Sequence, residues 1–188
     1  KSSAASDVYK RQEYKNWYFY ADFDFSKGKF AQKNLFLQYS MEKDKGTHAF
    51  KAGYYNNPAT MANNTSRGSL HFISRAAPAN AMSPGRELGL SYIFYNNQFL
   101  ANQGVFAENM YNDQIAGFQG VTFGGRWLWR PINDENNTLH VGVNFRYANI
   151  CTGEVYNNTL KTEYTIGTSL ETYVDPTKQF VSATMPWA

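Results

Sequence analysis

The chain of 188 residues contains almost no cysteine and no long hydrophobic run. Its single cysteine, Cys151, can form neither an intrachain disulfide nor a cysteine metal cluster. The mean hydropathy is −0.56, and no apolar run approaches the roughly 18–20 residues that a membrane-spanning helix needs. These absences argue against a helical membrane protein. They leave open a transmembrane β-barrel, because alternating strands are not detected by hydropathy.

Signatures of common enzymes and cofactor sites are also missing. There is no G-x-S-x-G, no Walker phosphate loop and no G-x-G-x-x-G. The three histidines, His48, His71 and His140, lack the spacing of metal ligands. Asp22 and Asp24 would lie roughly 6.5–7 Å apart on one strand face, near the carboxylate separation of an inverting glycosidase. Because no third catalytic group is identifiable, we predict solvated carboxylates, no enzymatic activity and no cofactor.

Aromatic residues are abundant, and their alternation predicts strands. The chain has 14 Tyr and 14 Phe, a composition that favours strands and turns over helices. In WYFYADFDF, residues 17–25, every odd position is apolar. The same period of two predicts strands at 34–42, 48–55, 88–94, 121–130 and 138–148, with weaker strands over about 98–108 and 159–167. No segment shows helix caps with a period of 3.6.

Strand length and aromatic placement favour a membrane barrel over a soluble sandwich. Several predicted strands run about 9–11 residues, the length that crosses a membrane at a tilt. Aromatic residues gather near strand ends, as an interfacial girdle requires. They are Trp17, Tyr39, Tyr54, Tyr55, Trp127, Trp129 and Tyr147. Alternation alone would not separate the two classes, since a sandwich also has one polar face.

Basic residues in mid-strand would share the face turned away from lipid. They are Lys51, Arg126, Arg130 and Arg146. Charges in a barrel lumen set the selectivity of a pore. The alternative is that these are solvated charges on the protein surface, which contribute little to stability.

The connection from Asn56 to Pro84, about 29 residues, is long for a compact domain. It contains three large apolar residues between positions 70 and 73, so part of it should pack against something. In a barrel, this part of the connection would pack against the inner wall. Arg67, Arg75 and Arg86 would then project from the folded-in segment or its base and favour anions.

The first twelve residues differ from the rest. DVYKRQ, residues 7–12, resembles an in-frame translation of a transposase end sequence used in sequencing libraries. We therefore expect residues 1–12 to be an artefactual tail; the alternative is a natural, basic and disordered N-terminus. Removing its three basic residues and one acidic residue lowers the net charge from +3 to +1. That balance indicates no nucleic-acid partner.

An ordered set of segments between residues 17 and 109 resembles the phosphate-selective porin O and P family. The segments are WYFYADFDFSKGK, KNLFLQY, KAGYYNNP, TSRGSLHFISRAAPANAMSPGRELGLSY and GVFAEN. The resemblance implies a trimeric outer-membrane porin of Gram-negative bacteria with about 16 strands and a basic pore that passes phosphate or other anions. It matches Arg75 to the family's arginine before the proline-rich segment, and Arg86 to the arginine of its P-G-R motif.

Two departures from the family pattern bear on selectivity. Asn56 stands where a lysine is often found, and Ser74 stands in place of an acidic residue. Asp22 and Asp24 also fall on the predicted lumen face. A general or anion-preferring porin is therefore the safer expectation.

The predicted fold is all-β: an antiparallel transmembrane β-barrel, present here as about half of a 16-stranded barrel. Seven or eight strands over residues 13–188, with a long loop at 56–84, would form an open, curled sheet, and we expect the chain to be an internal fragment. The predicted pore-lining residues are Lys51, Arg75, Arg86, Arg126, Arg130 and Arg146. The expected partners are outer-membrane lipid, small anions and two further copies in a homotrimer.

The competing hypothesis is a soluble or surface β-sheet that binds carbohydrate. In that case Trp127 and Trp129 would stack on sugars and lie open to water in a groove. A porin would turn them toward lipid.

Overall fold

The computed structural model of the chain describes residues 7–25, 30–65, 85–107, 120–134, 137–149, 163–169 and 179–186. These residues form ten strands and one short helix. In chain order they are β1 (Asp7–Tyr14), β2 (Trp17–Asp24), β3 (Ala31–Lys43), β4 (Gly46–Asn56), α1 (Met61–Asn64), β5 (Arg86–Tyr95), β6 (Phe99–Ala107), β7 (Val121–Asn133), β8 (Thr138–Asn149), β9 (Glu163–Ser169) and β10 (Gln179–Pro186). Among the described residues, no helix is long and apolar enough to span a membrane.

Strands β1 to β8 form one sheet in sequence order, and β9 pairs with β10 in a separate two-stranded sheet. Each strand is antiparallel to its neighbours. Strands β1 and β8 form the two open edges of the larger sheet. The predicted all-β, antiparallel, open architecture is confirmed.

Eight of the strands were predicted, with ends that differ by a few residues. Strands β1 and β10 were not. Strand β1 crosses the boundary at residue 12 where a foreign tail was expected to end, and its residues pair with β2 throughout. The origin of residues 1–12 stays a prediction. Strand β10 was missed because small and polar residues weaken its alternation in QFVSATMP.

The two ends of the strands carry connections of different length. Turns of two to four residues join β1 to β2, β3 to β4, β5 to β6 and β7 to β8. Because consecutive strands run antiparallel, these turns share one edge of the sheet, here called the short-turn edge. Strands β2, β4 and β6 end at the opposite edge, and β3, β5 and β7 begin there after longer separations along the chain. We call it the long-connection edge.

The pairing register separates an apolar face from a polar face, because residues directly opposite each other point the same way. One row across seven strands is entirely apolar: Phe19, Leu37, Ala52, Leu90, Val105, Phe123 and Tyr147. Leu90 is 67% exposed and Tyr147 69%. An exposed apolar surface of this extent marks contact with a partner or a membrane.

Most of the best buried strand residues lie on the polar face. They include Tyr55, Glu87, Ser91, Phe106 and Thr122, each at most 5% exposed. The chain that follows β4 turns onto this face, where Asn57 and Ala59 are also buried. The backbone N–H of Asn57 donates to the carbonyl oxygen of Gly85 at 2.9 Å. The start of the long connection is therefore packed against the polar side of the sheet.

Candidate functional site

The polar face holds two of the predicted basic residues on a single row across the sheet. The row runs Lys51, Ser91, Gly104, Gly124 and Arg146, from β4 to β8. Four steps of about 4.8 Å separate its ends, roughly 19 Å in total. Between the two cationic side chains the row itself carries only serine and glycine, and the side chain of Asn57 lies over Gly124.

Arg126 lies close to Arg146. Its cross-strand partner is Asn144, two residues before Arg146, so the two arginines are diagonal neighbours with Cα atoms about 7–8 Å apart. The Nε atom of Arg126 is buried and has no hydrogen-bond partner among the described residues, and the same holds for Oδ1 of Asn102, its partner on β6. Buried polar atoms are usually satisfied, by water if not by protein. This part of the face is therefore suited to water or a polar solute.

Lys51 is positioned by aromatic rings. Its Nζ atom lies 3.7 Å from the ring centroid of Phe36 and 4.1 Å from that of Tyr55. Both distances fall within the range of a cation–π contact. The Tyr55 hydroxyl donates to Oγ of Ser91 at 2.9 Å, which fixes the second ring. Within the described part of the chain no carboxylate pairs with Lys51, so its charge is not cancelled by a neighbouring anion.

Arg86 and Arg130 lie at opposite edges of the sheet. At the long-connection edge, Nε of Arg86 donates to Oδ1 of Asn34 at 3.1 Å, and Nδ2 of Asn34 donates to Oδ2 of Asp22 at 3.2 Å. Asn34 thus links Arg86 to Asp22. At the short-turn edge, Nη2 of Arg130 donates to the carbonyl oxygen of Asn96 at 3.2 Å.

The predicted basic residues therefore do not form one cluster. The structure brings Arg126 and Arg146 together, keeps Lys51 on the same face, and places Arg86 and Arg130 at the two edges. Arg75 lies outside the described residues.

The carboxylates of this region are held by specific partners. Asp24 forms an ion pair with Lys33 at 3.2 Å, beside a shift in register after Asp22. Glu87 is 1% exposed and accepts a hydrogen bond from Nδ2 of Asn57 at 2.6 Å. The described residues include no group of three or more histidine, cysteine, aspartate or glutamate side chains arranged for a metal ion.

The prediction for Tyr55 was wrong. It was assigned to an aromatic girdle, but it points to the polar face, where its ring packs edge-on against Phe106 with centroids 5.7 Å apart. The strand alternates, so Tyr54 takes the opposite direction. Tyr18, Tyr20 and Phe36 also lie on the polar face and were not predicted as site residues. A signal was available: Tyr18 and Tyr20 share the even positions of β2 with Asp22.

Trp127 and Trp129 lie on the apolar face and are 51% and 47% exposed. They border a groove whose other lining residues are Phe94, Phe99, Leu100, Ala101, Gln103, Leu128, Val141, Gly142 and Val143. Gln103 contributes the only polar side chain among those nine, and its Oε1 accepts the Nε1–H of Trp127 at 2.9 Å. A sugar site needs several placed polar groups beside its rings. The groove is lined almost entirely by apolar side chains and lacks the polar groups of a sugar platform.

An open antiparallel sheet with one exposed apolar face and one basic polar face is what part of a pore-forming β-barrel presents. The model of the family described as phosphate-selective porin O and P matches residues 8–178. No significant match was found among curated proteins or solved structures. The match covers most of the chain, which therefore belongs to the phosphate-selective porin O and P family. It is a family of channels and not of enzymes, so the expectation of no enzymatic activity is confirmed.

Proposed function

We propose that the full-length protein forms a pore in the outer membrane through which small anions of the phosphate type diffuse passively. The observation that carries the proposal is the neighbouring pair Arg126 and Arg146 on the polar face, with Lys51 on the row of Arg146. Basic groups in a narrow lumen attract anions and replace part of their hydration shell. Arg86 and Arg130, at the two edges of the sheet, are proposed to extend this positive lining toward the two mouths of the pore, and Arg75 is proposed as a further pore-lining residue.

The state of the nearby carboxylates supports an anion preference. Asp22 is tied through Asn34 to Arg86, and Glu87 is covered by Asn57. Neither carboxylate is presented freely to a passing solute. Arg126 has no ion-pair partner in the described part of the chain, so no carboxylate in contact with it offsets its positive charge.

Membrane insertion is supported by the exposed apolar face and its aromatic residues. Outer-membrane barrels have an apolar outward band with aromatic girdles, short periplasmic turns and longer extracellular loops. By that rule the short-turn edge would face the periplasm. Near it, Trp17 packs on Tyr39 with centroids 4.8 Å apart, and Phe99 stacks on Trp129 at 6.2 Å. We place the chain in the outer membrane of a Gram-negative cell.

We further propose that the pore is a homotrimer, as the family resemblance implies. Unheated detergent samples should migrate as a trimer on a denaturing gel and convert to monomer on boiling. Migration as a monomer under both conditions would contradict this assignment.

The anion preference is tested by reversal potentials in planar bilayers under a salt gradient. The full-length porin should show an anion-selective potential, and Arg126→Ala and Arg146→Ala should each shift it toward zero. Lys45→Ala, in the turn between β3 and β4, is the matched control because it removes one positive charge away from the pair. Potentials that stay unchanged in both arginine variants would rule out their role. A cation-selective wild type would overturn the proposed function.

A further inference from the structure

Three aromatic side chains form a continuous surface on the polar face of β2 and β3. Tyr18 and Tyr20 are successive inward residues of β2, with centroids 6.4 Å apart and ring planes 16° from parallel. Tyr20 lies 5.3 Å from Phe36 with an interplanar angle of 20°, and Tyr18 lies 5.8 Å from Phe36. Each ring is partly exposed. We call this surface the aromatic row.

The aromatic row ends at a cation. The ring of Phe36 contacts both Tyr20 and Nζ of Lys51. The cross-strand partner of Phe36 is Gly53, which has no side chain. The polar face therefore offers apolar ring surface and a positive charge side by side.

Polar groups border the row. Gln38 pairs with Tyr18 across the strands and with Lys51 on its other side. Its Nε2 donates to Oγ of Ser40 at 3.1 Å, which leaves its side-chain oxygen available as an acceptor. The phenol groups of Tyr18 and Tyr20 add hydroxyls to the same surface. Rings with an apolar face and a polar tip suit ligands that are themselves apolar on one side and hydroxylated at the rim.

We propose that the aromatic row and Lys51 form a subsite for sugar phosphates, in which the apolar face of the sugar ring stacks on Tyr20 and Phe36 and the phosphate meets Lys51. The proposal rests on the proposed anion-conducting function and names a class of solute for it. Inorganic phosphate can use Lys51 but gains nothing from the rings. A neutral sugar can use the rings but not the charge. Only a solute that combines both groups engages the whole subsite.

The test is a titration of pore current with three solutes: glucose 6-phosphate, inorganic phosphate and glucose. The full-length porin is reconstituted in planar bilayers, and the half-blocking concentration of each solute is measured. Wild type should bind glucose 6-phosphate more tightly than either of the others. Tyr20→Ala should raise the half-blocking concentration of glucose 6-phosphate about five- to tenfold, the order expected for loss of one ring contact. The value for inorganic phosphate should change less than about twofold.

Tyr20 is the informative position because Nζ of Lys51 lies over the rings of Phe36 and Tyr55, and Tyr20→Ala leaves both of those rings in place. Tyr20→Phe keeps the ring and should retain most of the binding. Phe19→Ala is the matched control, since it removes a ring of the same strand on the opposite, apolar face.

Three results would overturn the subsite. The first is that glucose 6-phosphate binds to the wild-type pore no more tightly than inorganic phosphate. The second is that Tyr20→Ala weakens the binding of glucose 6-phosphate and of inorganic phosphate equally, which would mean that the rings only position Lys51. An effect of Phe19→Ala as large as that of Tyr20→Ala would indicate general damage to β2. Anion-selective conductance in simple salt would persist in all three cases, so the proposed function would stand independently.

Discussion

The side chain of Asn57 lies directly over Gly124, because a Cβ atom on residue 124 would come within 2.9 Å of Oδ1 of Asn57. Asn57 follows β4, whereas Gly124 belongs to β7. The same asparagine donates to buried Glu87 on β5, and its Oδ1 accepts the backbone N–H of Ala59 at 2.9 Å. One side chain thus fixes the start of the long connection against two strands of the polar face. The bare backbone of Gly124 provides the space.

Gly124→Ala should displace Asn57 and destabilise the folded protein by about 1–3 kcal/mol, the usual cost of overpacking a buried site. Unfolding in guanidinium from detergent micelles measures the change. Gly142→Ala is the control, because the nearest neighbour of its added Cβ is the flexible end of Leu128, and the backbone oxygen of Trp127 is at an ordinary contact distance of 3.6 Å. Equal midpoints for Gly124→Ala and wild type would show that Asn57 is not held against β7.

The contact between Asn57 and Glu87 should appear as a coupling energy. Asn57→Ala removes a donor from a carboxylate that is only 1% exposed, which costs about 1–3 kcal/mol. A double-mutant cycle of Asn57→Ala with Glu87→Ala should give a coupling of about 0.5–3 kcal/mol. Asn64→Ala is the comparison, since Asn64 donates to the carbonyl oxygens of Asn57 and Thr60. If the cycle of Asn64→Ala with Glu87→Ala gave the same coupling energy, Asn57 would have no specific role beside Glu87.

Arg86→Ala should lower anion preference for two reasons that act together. It removes a positive charge, and it detaches Asn34 from the guanidinium, so Asp22 loses the arginine that offsets its charge. Adding Asp22→Asn should restore part of the anion preference. Reversal potentials under a salt gradient measure both effects, and Arg75→Ala is expected to act in the same direction as Arg86→Ala. A double variant no more anion-selective than Arg86→Ala alone would contradict the link through Asn34.

A charge placed on the apolar face should prevent stable insertion. Val143 is 59% exposed in the middle of β8. Val143→Arg should cost about 2–4 kcal/mol, as an arginine does when it faces lipid near the bilayer midplane. Asn144→Arg, the next residue on the polar face, should cost much less. Folding titrations into lipid vesicles measure the free energy of folding of the two variants. Equal losses of folding free energy would mean that lipid does not contact the apolar face in preference to the polar face.

Trp127 and Trp129 provide an optical test of the same surface. Lipids with brominated tails should quench their fluorescence strongly, because both indoles lie on the exposed apolar face. Trp127→Phe/Trp129→Phe should lose part of the quenched signal, and Trp17, which lies on the same apolar face, should stay quenched. Quenching by acrylamide in water, without quenching by lipid, would instead favour the carbohydrate-binding hypothesis.

Much of the architecture could be predicted because a strand reveals its two faces in its own sequence. Alternation in WYFYADFDF placed Trp17 and Phe19 on one side and Tyr18 and Tyr20 on the other, and the structure has the same division. The basic residues of the polar face followed from the same rule. Strand β1 was missed because its segment was treated as a foreign tail. Tyr55 was assigned to the wrong face because the prediction used its position near a strand end and not its place in the alternating pattern.

Contacts between strands distant in sequence could not be predicted, since alternation gives the face of a residue but not the level at which strands align. The pairing register decided that Arg126 and Arg146 are neighbours while Arg86 and Arg130 lie at opposite edges. It also decided that the ring of Phe36, which belongs to the aromatic row, contacts Nζ of Lys51.

The sequence by itself determined an antiparallel sheet with one apolar and one basic face, because a period of two is a local property of the chain. Only the tertiary structure decided which polar side chains meet, because those meetings depend on register and on the path of the connection after β4. The contact of Asn57 with Gly124 depends on both, as it joins residues on either side of two intervening strands.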